Sequence, residues 1–317
     1  MKMKILFHDN ALSIRGTTIA LFDYALFCKK FFNIDCEFIY NSSLIVNDNS
    51  VIDKFKLEFG NVVYSYSNTD EMQKIINDVS PDIFFMIKSG HIDGIISNSC
   101  KNYILAVSGN ISSRDIHGDK YFVCSPFLSK ITGIDYVPHM INLPEVNNNL
   151  RSELNIPEDA IVFGRNGGYE TFDLHFVKLV IRDILSIKEN YYFIFQNTET
   201  FINHPRVLFL EKSPDMDFKT KFINTCDAHL HARIVGESFG LTCGEFSIRN
   251  KPVITWNGSV ERNHIDILGD KALLYNNYDD LMNLLLTFDK DKFSDWNCYR
   301  EYLPNTVMDK FKKLYDI

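Results

Sequence analysis

The chain has 317 residues, 45% of them apolar and 23% charged, an ordinary folded composition that excludes disorder over most of its length. A formal net charge of −8 argues against a general nucleic-acid binder, which needs a basic face to release counterions. Length alone predicts about two domains of ~150 residues each.

The opening residues, MKMKILFHDN, hold too short an apolar run for a signal peptide, because His8, Asp9 and Asn10 end it. No stretch approaches the roughly 18 apolar residues of a membrane span. Seven scattered cysteines without a CxxC pair argue against a disulfide framework and predict a reducing, cytoplasmic setting.

Short apolar runs alternate with helix-period segments. In the first half the predicted strands are Lys4–His8, Glu37–Tyr40, Val62–Tyr66, Ile83–Ile87, Tyr103–Ser108 and Tyr121–Cys124, with helices near 17–31, 52–59 and 70–79. From Val137 to Pro157 three prolines and a run of asparagines break the rhythm and mark a linker. The second half predicts strands at Ala160–Gly164, Tyr191–Gln196, Val207–Leu210, Ala228–His231, Pro252–Trp256 and Ala272–Tyr275. Its helices are predicted near 172–188, 216–225, 241–249, 261–268 and 278–288. Such alternation implies open parallel sheets, an α/β class. Residues 290–317 read as one amphipathic helix, with Val307, Met308, Phe311, Leu314 and Tyr315 on a stripe that docks on the protein body.

The segment most informative for chemistry is Gly236–Glu245, GESFGLTCGE, which follows a predicted strand and opens a predicted helix. Free amides at a helix start form an anion site, and the helix dipole reinforces it. Gly240 removes a side chain where a phosphate would approach. The carboxylates of Glu237 and Glu245 would repel a phosphate, so sugar hydroxyls are their natural partners.

Glu237 and Glu245, spaced as Glu-x7-Glu around Phe239-Gly240-Leu241, resemble the signature of retaining GT-B glycosyltransferases of the family 4 type. Gly164-Arg165, Lys251-Pro252-Val253-Ile254 and Gly269-Asp270 before Ala272–Tyr275 extend the likeness over about 158–288. The resemblance implies a GT-B fold, two Rossmann-like parallel-sheet domains facing a central cleft. They would span 1–142 on the acceptor side and 143–290 on the nucleotide-sugar side, with 291–317 a helix packing back on the first. It also implies sugar transfer from a nucleotide-sugar donor to a glycan or glycolipid acceptor with retention of configuration. No metal and no cofactor besides the donor are then expected. Glu237 would meet hydroxyls of the donor sugar and Glu245 those of the ribose. Amides near Phe239, Gly240 and Leu241 would bind the diphosphate, and Arg165 would neutralise it as it leaves.

One position departs from the family: its lysine after Gly-Arg is Glu170 here. Arg233 is either the replacement cation or part of an ordinary ion pair. Gly16, within Ser13–Thr18, would face the donor; a helix cap by Thr17 explains the same residues, and Arg15 could instead meet a charged acceptor. His117, in RDIHGDKYF, is a catalytic candidate of the first domain and also readable as a loop histidine. Lys88 and Gly90 end another strand at the cleft edge. His229 and His231 alternate on one strand with no third ligand, so a zinc pair is not expected. Two other readings stand beside the transferase. One is a nucleotide-sugar epimerase or phosphorylase of the same fold. The other is a non-catalytic sugar-binding protein, which Glu170 favours. The expected partners are the donor and a carbohydrate or glycolipid acceptor, without nucleic acid; a peripheral membrane contact stays open.

Overall fold

A computed structural model describes residues 2–292 and 294–317. The chain forms two compact units, Met1–Met140 with Tyr302–Ile317, and Ile141–Glu301.

The first unit holds six parallel strands: β1 (Lys4–Asp9), β2 (Asp35–Asn41), β3 (Val63–Tyr66), β4 (Ile83–Lys88), β5 (Lys101–Ala106) and β6 (Lys120–Val123). Their order is β3-β2-β1-β4-β5-β6. β4, IFFMIK, is buried at every position, as a central strand covered on both faces requires. Helices α1 (Gly16–Phe32), α2 (Asn49–Phe59), α3 (Thr69–Val79) and α4 (Pro126–Thr132) connect or follow the strands. Side chains cap several of them. Asp48 accepts from Ser50 N at the start of α2, and Asn68 accepts from Glu71 N at the start of α3.

The second unit repeats the topology. Its strands β7 (Ile161–Asn166), β8 (Tyr191–Gln196), β9 (Val207–Leu210), β10 (Ala228–His231), β12 (Val253–Trp256) and β14 (Leu273–Tyr275) lie in the order β14-β12-β10-β7-β8-β9. A separate two-residue parallel pair joins β11 (Gly236–Glu237) to β13 (Glu261–Arg262). The helices are α5 (His175–Ile187), α6 (Met216–Thr225), α7 (Leu241–Ile248), α8 (Asn263–Leu268) and α9 (Tyr278–Leu286). Val177, Val180, Ile181 and Ile184 of α5 pack on Phe163 and Phe193, the helix stripe meeting the sheet.

The last helix, α10, covers Pro304–Tyr315 only. The sequence reading of one helix over 290–317 is therefore corrected. Pro304 has no N–H to continue an upstream helix and suits the first turn of a new one. Before it lies a single 3-10 turn at Arg300–Tyr302, and Tyr299 is buried in the second unit against Phe239.

Crossover handedness explains where α10 goes. β1, β2 and β3 step one way, so right-handed crossovers place α1 and α2 on one face of the first sheet. β3, β4, β5 and β6 step the other way and place α3 and the two following connections on the opposite face. The α1 face above β4–β6 is then left for a segment from elsewhere in the chain. Phe311 of α10 stacks on Tyr24 with ring centroids 5.0 Å apart. Tyr315 packs on Phe85, Tyr103 and Phe122 and donates to Ile104 O at 3.2 Å.

Candidate functional site

In each sheet the strand order reverses between the first and fourth strands of its unit. A crevice opens at the carboxyl ends there, and ligands of open α/β sheets bind in such crevices. In the second unit the switch falls between β7 and β10. The chain leaves β7 through Arg165, Asn166 and Gly167, and leaves β10 through His231 and Arg233 towards β11 and α7.

Gly164 is required by packing, since a Cβ there would collide with Cys226 Sγ. Arg165 next to it is 3% exposed. One guanidinium nitrogen donates to Asn197 O at 3.2 Å and to Thr198 Oγ1. The other donates to Gly168 O at 2.7 Å and to Thr171 Oγ1 at 2.6 Å. Arg165 thus ties the loop after β7 to the loop after β8. Burial lowers its pKa to about 10, which still leaves it charged at neutral pH. All four bonds go to neutral oxygens, so they do not cancel its charge. Glu170 is exposed and lines a pocket of about 200 Å³ with Tyr169, Phe172, Asp173, Lys178, Thr198 and Glu199.

Gly240 precedes α7 with φ +89°, and a Cβ there would press on His264 Cβ at 2.9 Å. No side chain caps α7 among the described residues. The first-turn amides, beginning at Leu241, point away from any intrahelical acceptor. Asn166, at the end of β7, reaches this turn: Thr242 Oγ1 donates to Asn166 Oδ1 at 3.2 Å. Asn166 Nδ2 is buried and has no partner among the described residues. One turn on, Glu245 is buried with Oε1 bound by Lys219 Nζ of α6 at 2.8 Å, while Oε2 has no partner among the described residues. Thr242 and Glu245 are spaced i, i+3 and share a helix face. That face therefore presents an unused donor and an unused acceptor, both costly to bury unpaired.

Glu237 lies on β11. His231 Nε2 is 3.2 Å from its Oε1, and Arg233 Nη1 donates to Oε2 at 3.1 Å. Burial raises the Glu237 pKa. The His231 hydrogen bond and the neighbouring His231, Arg233 and His264 outweigh that and bring it down to about 2. Behind it, His231 Nδ1 lies 2.8 Å from Thr255 Oγ1, which lies 2.9 Å from His264 Nε2. With Glu237 ionised, one proton arrangement satisfies all three bonds. His231 Nε2–H donates to Glu237, Thr255 O–H to His231 Nδ1, and His264 Nε2–H to Thr255. His229 points elsewhere, bonded to Gly164 O at 3.1 Å and stacked on Phe246. Phe239 is buried, and its carbonyl accepts from Asn263 Nδ2 at 2.8 Å.

Gly16, His117, Lys88 and Gly90 belong to the first unit. Gly16 opens α1, which has no side-chain cap among the described residues, so Thr17 does not cap it. Thr18 Oγ1 donates to Asp9 Oδ2 at 2.7 Å and accepts from Ser13 N at 3.3 Å. Burial raises the Asp9 pKa to about 6, against the pull of these hydrogen bonds. A phosphate at this turn would meet a carboxylate at neutral pH, whereas a hydroxyl would be welcome. Lys88 Nζ is held by Asp93 Oδ1 at 2.6 Å and Ile95 O at 3.1 Å. Gly90 O accepts from Tyr121 Oη at 2.7 Å. His117 Nδ1 donates to Asp115 O at 2.6 Å, leaving Nε2 without a partner among the described residues.

Sequence reasoning missed Asn166, Lys219, Thr255 and His264. Asn166 follows Gly-Arg directly, a visible signal; the other three reach the site from separate elements.

No protein-family model matches the sequence, and no curated protein matches it. Solved structures do. Anabaena Alr3699/HepE, crystallised in complex with UDP-glucose, is 12% identical, covers 99% of this chain and 100% of its own, and superposes with a TM-score of 0.68. A glycosyltransferase from Rickettsia africae ESF-5 is 16% identical over 99% of this chain and 98% of its own, with a TM-score of 0.69. A putative UDP-N-acetylglucosamine 2-epimerase from Listeria monocytogenes is 11% identical over 100% and 97%, with a TM-score of 0.63. These likenesses show the fold: the chain has the GT-B architecture of two Rossmann-like units.

Proposed function

We propose that the protein is a retaining, metal-independent glycosyltransferase of the family 4 type, moving a sugar from a nucleotide-sugar donor to a glycan or glycolipid acceptor. The observation that carries this reading is the pair of unpaired buried atoms beside the open start of α7, Asn166 Nδ2 and Glu245 Oε2. A donor nitrogen next to free amides suits a phosphate oxygen, and a carboxylate oxygen a turn away suits a ribose hydroxyl. Arg165 contributes positive charge as the diphosphate leaves, with Arg233 as a second cation. Glu237, held ionised and oriented, accepts from hydroxyls of the donor sugar through lone pairs that His231 and Arg233 leave open. Leu241, Gly240 and Phe239 bring the backbone of the diphosphate site. As the bond from the anomeric carbon to the diphosphate oxygen breaks, the acceptor oxygen bonds to that carbon on the same face, and the leaving phosphate takes the acceptor proton. In this reading Gly16 faces the donor and His117 is a catalytic group, both contributed by the first unit, and Asp9 beside the Gly16 turn favours a hydroxyl.

A UDP-sugar is the first donor to test, because HepE was crystallised with UDP-glucose. A panel of nucleotide sugars is scored by thermal shift and nucleotide release on wild type and Glu237→Ala. One donor should raise the melting temperature and release its nucleotide, with turnover lost in the variant. If no nucleotide sugar shifts the melting temperature, the donor-site reading is wrong. The likeness to the Listeria protein favours an epimerase as second reading; sugar interconversion without an acceptor would establish it.

A further inference from the structure

Lys219 is the fourth residue of α6, and its side chain, 10% exposed, turns inward to bind Glu245 Oε1 at 2.8 Å. Neither burial nor position favours a cation there. Thr220, Phe222 and Ile223 of the same helix are buried beside it. A lysine among them loses the water that an exposed one keeps. The first turn of a helix also disfavours positive charge. Apolar side chains of the same volume often fill the site of a buried ion pair with equal or greater stability. The pair therefore calls for a reason other than stability.

Its unused hydrogen-bonding capacity supplies one. An ammonium carries three N–H donors. Among the described residues Lys219 Nζ uses one of them, on Glu245 Oε1. Glu245 Oε2 is buried and has no partner among the described residues. Two donor hydrogens and one bare carboxylate oxygen thus stand within a single ion pair. The opposite charges narrow what can fill it: an anion would meet Glu245, and a cation would meet Lys219. A hydroxyl is neutral and both donates and accepts. A vicinal diol brings two of them, one to donate to Oε2 and one to accept from Nζ. Both bonds are then charge-assisted.

Resting on the donor-site reading above, we propose that Lys219 binds the donor directly. With Glu245 it reads the two ribose hydroxyls and makes the site selective for ribonucleotides over deoxyribonucleotides. A lysine kept only as a counter-ion would support the binding of every nucleotide alike. One that donates to a hydroxyl discriminates against the nucleotide that lacks it.

The test is calorimetric titration of the full chain with UDP and GDP and with their 2′-deoxy and 3′-deoxy analogues. Wild type should bind the ribonucleotide about 10- to 100-fold more tightly than either analogue, the size of one lost bond to a charged group. Lys219→Met should bring that preference to within about threefold for at least one analogue. Lys221→Gln removes a charge from the same helix and should leave both ratios at the wild-type value. Melting curves check that each variant is folded. If Lys219→Met does not fold, Lys219→Gln/Glu245→Gln keeps a hydrogen bond between the two positions without their charges, and its preference should fall by about tenfold. Equal losses for the ribonucleotide and both analogues make Lys219 a counter-ion only; they overturn the proposal and leave the donor site standing. Equal binding of all three by wild type also overturns it. Binding of none of them removes the donor-site reading, and the proposal with it.

Discussion

Replacing Glu237 with Gln removes a carboxylate that its surroundings hold ionised. His231 and Arg233 each bind one of its oxygens. Burial raises its pKa, and these neighbours override that, taking it from an ordinary 4.5 to about 2. Because the folded value is depressed, the ion stabilises the fold above pH 4.5, and that stability is lost as pH falls towards 2. The gap corresponds to about 3 kcal/mol at neutral pH, of which about 1.4 kcal/mol is gone by pH 3.5. The side chain is 25% exposed, and solvent screening trims these figures to about 2 and about 1 kcal/mol. Urea titrations at pH 7 and pH 3.5 read the effect directly. Wild type should lose about 1 kcal/mol more than Glu237→Gln between the two pH values. Equal losses in the two proteins would refute the argument that His231 and Arg233 hold the carboxylate.

Asn166→Asp keeps the shape but turns the unpaired donor into an acceptor; calorimetry should find UDP binding weakened by about 10- to 100-fold and uridine binding unchanged. Glu245→Gln leaves Lys219 buried without its counter-charge and should cost about 3 kcal/mol in urea unfolding. Pairing Lys219→Met with Glu245→Leu should restore most of that stability while donor binding stays lost. Phe311→Ala empties the contact with Tyr24 and should cost about 3–5 kcal/mol by the same measurement.

The strands were legible because buried parallel strands are continuous apolar runs. Tyr191–Gln196, Val207–Leu210 and Ala228–His231 stand as read from the sequence. The two-residue strands β11 and β13 carry no such run, since their pairing is set by Gly236, where a Cβ would collide with Glu261 O. α4 went unread because seven residues are too few to show a helical period. Glu237 and Glu245 were visible as a spacing. Their partners were not, because contact between distant residues depends on register. His231 meets Thr255 only because β10 and β12 pair those two positions, and Lys219 meets Glu245 across two helices. The final helix was legible as an apolar stripe, while its start depended on Pro304 outweighing the upstream pattern.

The seat of α10 has a consequence for synthesis. Residues 1–140 emerge from the ribosome before the second unit, yet Tyr24, Phe85, Tyr103 and Phe122 must wait for Phe311 and Tyr315 to cover them. The second unit, continuous in sequence, has no such delay. Of these two units the one translated earlier is therefore completed later, reversing the usual N-to-C order of folding. During that interval its aromatic face is the part of the nascent chain that a chaperone has most reason to hold.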